Sequence, residues 1–132
     1  MIYSIVETSE LKPVLLCKDT VEEEIEYSRS EWIQWIVANS KNPLMKIIVD
    51  SESKNSVARA YLVALYAKSP PISEYIQIIY LFGRESYDFT EMLNELKIWA
   101  KSLSVSDILL FTNTLNFGHG FKLKNHLMKL EV

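Results

Sequence analysis

The sequence predicts a single α+β domain over residues 1–132, a three-layer sandwich with helices on both faces of a mixed, mainly antiparallel sheet of about six to seven strands. Three observations predict it. Residues 45–82 read as three β-rich runs joined by short polar turns, connections that suit antiparallel neighbours. The last run (Ile76, Ile78, Ile79, Tyr80, Leu81) is apolar on both faces, as in a central strand covered from both sides. A strongly patterned helix then leads into another apolar run, a crossover that sets the two flanking strands parallel.

Each element has its own signal. Tyr3 to Val6 is short, apolar and β-prone. Ser9 to Cys17 reads as a helix that tolerates Pro13 in its first turn and buries Leu11, Val14 and Leu15. Ser28 and Glu31 have capping-box spacing, and Trp32, Ile33, Ile36 and Val37 follow at helical intervals. Trp32 and Trp35 are expected in the core. Residues 39–43 (NSKNP) stop this helix. The meander runs Met45–Val49, a polar turn over 50–56, Val57–Tyr66, a turn containing Pro70 and Pro71, and Tyr75–Phe82. In the next helix Asp88 is the expected N-cap with Glu91 as its reciprocal acid. Phe89, Met92, Leu93, Leu96, Ala100 and Leu103 trace one face of it. Asp107 to Thr112 is a further strand, residues 113–120 are too short and glycine-laden for a full helix, and Phe121 to Val132 is a final bulged strand.

Composition bounds the function. With 48% hydrophobic and 23% charged residues the chain is globular rather than disordered. A net charge of −3 gives no electrostatic ground for nucleic-acid binding. Cys17 is the single cysteine, so no internal disulfide forms, and a reducing, cytoplasmic setting is expected. There is no run of ~18 apolar residues to span a membrane, and the start lacks a secretory pattern. Asp19, Glu22, Glu23, Glu24 and Glu26 crowd one segment, whereas Lys122, Lys124 and Lys129 make the C-terminal run basic. No metal site is expected: His119 and His126 lack an acidic third ligand at metal spacing. Cys17, on an apolar stripe, is expected to be a buried inert thiol.

The joint at residues 82–89 bears most directly on function. A strand that passes through glycine into a helix presents N–H groups and a helix dipole suited to an anion. Here Gly83 is the only glycine, and the acids Glu85 and Asp88 stand where bare backbone or positive charge would be wanted. Two like charges ~4 Å apart cost about 4 kcal/mol near a surface, against ~0.3–1 kcal/mol from a helix terminus, so repulsion wins.

The order β–α–α–β–β–β–α–β–turn–β resembles the GNAT superfamily of N-acyltransferases over essentially the whole chain. The likeness rests on the helix pair after the first strand, the meander, and the segment FTEMLNELKIWAKSLSVSDILLFTN closing on Asn113, with Gly120-Phe121 before the last strand. The resemblance implies acetyl-CoA as cofactor, with Tyr80, Leu81, Phe82, Arg84 and Asn113 as cofactor-binding positions and Glu74 as general base if the chain is active. The family's pyrophosphate motif is Arg or Gln, two free positions, Gly, one free position, then Gly or Ala. Aligning Arg84 with its first position puts Tyr87 and Phe89 on the two small-residue positions, where rings block the approach of backbone to phosphate. The tyrosine that many members use as acid toward the thiolate has no counterpart either; the nearest ring is Phe117. The sequence thus favours a GNAT-like domain without acyl-CoA chemistry and without cofactor. Such a domain would act on a protein partner or by self-association, and its composition is similar to that of GNAT-like proteins of phage genomes, accessory or virion-associated. The alternative is a divergent N-acyltransferase gripping its cofactor by backbone pairing along Tyr80–Phe82.

Overall fold

A computed structural model describes residues 1–17, 29–69, 72–84 and 86–110. Five strands form one sheet in the order β1-β2-β3-β4-β5 among these residues. They are β1 (Ile2–Ser4), β2 (Met45–Ser51), β3 (Ala58–Ser69), β4 (Ile72–Gly83) and β5 (Ile108–Leu110). β1 to β4 are antiparallel in sequence order, and β5 runs parallel to β4 with Ile76 opposite Ile108. The meander and the crossover are therefore as the sequence predicts, and the two-sided apolar strand lies inside the sheet, between β3 and β5. The expected six to seven strands are not matched: five are found among the described residues, and the terminal strand expected over Phe121–Val132 lies outside them.

Among the described residues three helices, α1 (Lys12–Leu15), α2 (Arg29–Asn39) and α3 (Thr90–Ser102), cover the sheet. Strand alternation divides the apolar residues of β2 and β3 between two cores. Ile47, Val49, Tyr61 and Val63 pack with Leu11, Val14, Trp32 and Ile36 on one face. Ile48, Leu62 and Ala64 pack with Met92, Leu93, Leu96 and Ala100 of α3 on the other. The stripe read from the α3 sequence is thus the buried stripe.

Two helices depart from expectation. In place of a continuous Ser9–Cys17 helix, a 3-10 turn (Thr8–Leu11) precedes the four-residue α1. Pro13 sits in the first turn of α1, where its missing N–H costs nothing. The turn is started by Glu10, whose carboxylate accepts from the N–H groups of Val6 and Glu7 at 2.9 Å each. In α2, Trp32 is buried at 3% exposure, but Trp35 is 39% exposed, which corrects the expectation that both rings are core. Three residues on from Trp32 the helix has turned ~300°, and Ile36 takes the inward position instead. Ser28, the expected cap of this helix, lies outside the described residues.

Candidate functional site

The β4–α3 junction is built from the ends of three strands. Gly83, the last residue of β4, pairs with Ala60, and the Arg84 N–H donates to the Arg59 carbonyl at 3.3 Å. The chain then turns: Tyr87 N–H donates to the Arg84 carbonyl at 2.9 Å, and Ser86 holds a positive φ of 63°. This turn carries two rings back over the strand end. Tyr87 and Phe89 meet edge to face, centroids 4.8 Å apart. A Cβ placed on Gly83 would clash with Phe89 Cζ and stand 3.0 Å from Tyr87 Cβ. The space above the one glycine of the loop is filled by the chain's own side chains.

The turn is tied to the sheet by charge. The Tyr87 hydroxyl donates to Asp50 Oδ2 at 2.5 Å. Asp50 Oδ1 accepts from Arg59 Nη2 at 3.0 Å and from the N-terminal amine at 3.3 Å. Burial by itself would raise the Asp50 carboxyl, but the bonds from Tyr87, Arg59 and the amine outweigh it and hold the group below its usual range. Burial, then the bond to Asp50 and its charge, push the Tyr87 phenol well above its usual range.

At the helix start, the backbone N–H of Thr90 donates to Asp88 Oδ1 at 3.0 Å and its hydroxyl to the same oxygen at 2.6 Å. Asp88 was expected at the cap position itself. α3 instead begins one residue later, with Phe89 in the cap position and no side-chain hydrogen bond from it. The carboxylate still occupies a helix-start donor.

The remaining predicted residues scatter. On β4, Tyr80 is in the core under α2, stacked on Tyr61 with centroids 5.3 Å apart, and Phe82 lies 5.5 Å from the same ring. Leu81 packs on the α3 side. The β4 register against β3 slips between Ile78 and Tyr80, leaving Ile79 as an extra residue, and β5 pairs with β4 only over Ile76–Ile78. Arg84 is exposed. Glu74 is nine positions before Gly83, about 30 Å along an extended strand. Burial, then the Glu74 carboxylate, pushes the Tyr66 phenol up. Glu74 and Arg84 are therefore not brought together. Glu85, Asn113, Phe117, His119, His126 and the basic C-terminal run lie outside the described residues.

Cys17 is buried at 6% exposure, with Sγ 3.4 Å from the Pro13 carbonyl and 3.7 Å from that of Ala58. Burial pushes the thiol up, as expected of an inert group. Among the described residues no three His, Cys, Asp or Glu could hold a metal, and no helix is long and apolar enough to cross a membrane. Asp50 and Arg59 are site residues that the sequence reading missed. Asp50 opens what reads as a plain polar turn, and nothing in its neighbourhood points to a residue 37 positions away.

A mixed sheet with α1 and α2 on one face and α3 on the other defines an α+β sandwich. Solved structures of the same architecture are acetyltransferases. A predicted acetyltransferase with acetyl-CoA from Clostridium acetobutylicum superposes with a TM-score of 0.72 at 18% identity, covering 99% of this chain and 96% of that one. A GNAT family acetyltransferase from Staphylococcus aureus gives 0.72 at 12% identity, covering 100% and 98%. An aminoglycoside antibiotic 6'-N-acetyltransferase from Acinetobacter baumannii gives 0.73 at 13% identity, covering 99% and 97%. The chain has the GNAT fold. No protein-family model and no curated protein sequence matches it.

Proposed function

We propose that this GNAT-fold chain does not turn over acyl-CoA and serves as a non-catalytic binding or structural component. The observation that carries the reading is the filled joint. Phe89 and Tyr87 lie over Gly83, and Asp88 takes a backbone donor that a bound anion would need. An anion entering here would have to displace two packed rings and approach a carboxylate. Proteins that bind phosphate at such joints leave the donors open and the backbone bare.

Calorimetry with acetyl-CoA tests this reading. No binding is expected at millimolar cofactor, and micromolar binding by the wild-type chain overturns it. A folded variant carrying Tyr87→Gly, Asp88→Ser and Phe89→Gly is expected to bind better than wild type. The second reading is a divergent N-acyltransferase that uses acetyl-CoA through Tyr80, Leu81, Phe82, Arg84 and Asn113, with Glu74 as base. It is supported by whole-chain likeness to acetyltransferases, one of them solved with acetyl-CoA.

For the non-catalytic reading the partner is a protein, either a second copy of the chain or a larger assembly. The opposite charges of the Asp19–Glu26 segment and of the C-terminal lysines support it. A cytoplasmic accessory or virion-associated phage protein is its concrete form, resting on composition. Light scattering across a salt series tests self-association. Reversing Glu22, Glu23 and Glu24 to Lys should abolish a pull-down from the native source.

A further inference from the structure

We propose that the Tyr87–Asp50 hydrogen bond is a latch that holds residues 86–89 down as an intramolecular plug over Gly83. The proposal rests on the reading that this turn fills its own anion site, and adds what keeps it filled. The bond is short, 2.5 Å, and joins a phenol to an ionised carboxylate, the stronger kind of hydrogen bond. Asp50 is itself held in place, at 13% side-chain exposure, by Arg59 and the N-terminal amine. Its aim therefore does not depend on Tyr87.

The start of the turn is tied to β3, where the Arg84 N–H donates to the Arg59 carbonyl. Tyr87 N–H reaches the Arg84 carbonyl and Asp88 reaches Thr90, both within the turn, whereas Tyr87 Oη reaches back to β2. Phe89 shares this anchor in part: its ring packs edge-on against Tyr87, and both rings rest against the α3-side core. Ser86 gives the turn a reason to open. Its φ of 63° is one that L residues disfavour, and such a conformation persists only where its surroundings impose it. The turn is strained at Ser86 and tied to β2 at Tyr87, so release of the tie weakens the hold of both rings on Gly83.

Backbone amide exchange, followed residue by residue on the whole chain, tests the latch. The variant Tyr87→Phe keeps the ring and removes the bond. In it the backbone amide at position 87 and the Leu93 amide (bonded to the Phe89 carbonyl) should exchange roughly ten- to a hundredfold faster. The amides of β2 and β3 should keep their wild-type rates. Asp50→Asn should release the same two amides. Unchanged rates in the turn overturn the proposal, and so does an equal acceleration throughout the sheet, which would make the bond a contributor to global stability only. If Asp50→Asn fails to fold, Tyr87→Phe decides alone. The exchange needs no ligand, so its outcome is independent of whether the wild-type chain binds acetyl-CoA.

Discussion

Replacing Gly83 by alanine probes the packing over the joint directly. Gly83 ends a strand and its φ lies outside the positive region, so alanine meets no backbone penalty there. On backbone grounds alone the change should stabilise by ~0.4–1 kcal/mol, by restricting the unfolded chain. The rings reverse the sign. The new methyl would stand 3.1 Å from Phe89 Cε2, closer still to Cζ, and 3.0 Å from Tyr87 Cβ. Carbon pairs prefer about 3.5–4.0 Å, so the Phe89 ring must retreat by roughly half an ångström or more. It cannot slide freely, because Tyr87 lies edge-on against it and is bonded to Asp50. Overpacking of this kind costs ~1–3 kcal/mol. In a Phe89→Ala background the obstacle is largely gone, and Gly83→Ala should be neutral or mildly stabilising. The double-mutant cycle, measured by urea unfolding of the four proteins, should therefore give a coupling of roughly 1–3 kcal/mol. A Gly83→Ala effect of the same size in both backgrounds refutes the packing described here.

Three further outcomes are expected. Leu96→Ala, at a position with 0% exposure in the α3-side core, should cost ~2–5 kcal/mol in urea unfolding; a loss under ~1 kcal/mol would place that face in solvent. Ser104→Gly should stabilise by ~0.5–1 kcal/mol, because Ser104 has a φ of 58° in the C-terminal cap of α3, where Val105 N–H closes on the Ala100 carbonyl; no gain in thermal midpoint would contradict that conformation. The Lys54 bond at 2.7 Å, then the backbone donors of Glu7 and Val6, lower the Glu10 carboxyl from 4.5 to about 2. A lowered folded-state pKa stabilises above 4.5, and that contribution is lost as pH falls toward 2. Lys54→Met should make this acid-induced loss smaller, by a modest amount because solvent screens the exposed ammonium, and identical stability profiles from pH 6 to pH 2.5 would count against the pair.

What the sequence determined is what periodicity and connection length encode. The stripe Met92, Leu93, Leu96 and Ala100 could only face a core, because residues three and four apart share a helix face. The apolar β4 run demanded cover on both faces and received it from α2 and α3. A helix between two strands made β4 and β5 parallel. Short polar turns made the meander antiparallel.

Tertiary structure decided where the turn's side chains go. Period-based reading assigns faces to helices and strands, but a turn has no period, so nothing local says that Phe89 lies over Gly83 rather than in solvent. The bond from Tyr87 to Asp50 spans 37 residues and exists because β2 and β3 bring Asp50 and Arg59 to the same sheet end. α3 starts at Thr90, past Asp88, in the same joint. Strand geometry also separated Glu74 from Arg84, since an extended strand holds Glu74 and the Gly83 end about 30 Å apart. Helix and strand faces follow from local spacing along the chain, whereas the contents of this joint follow from which strand ends meet in space.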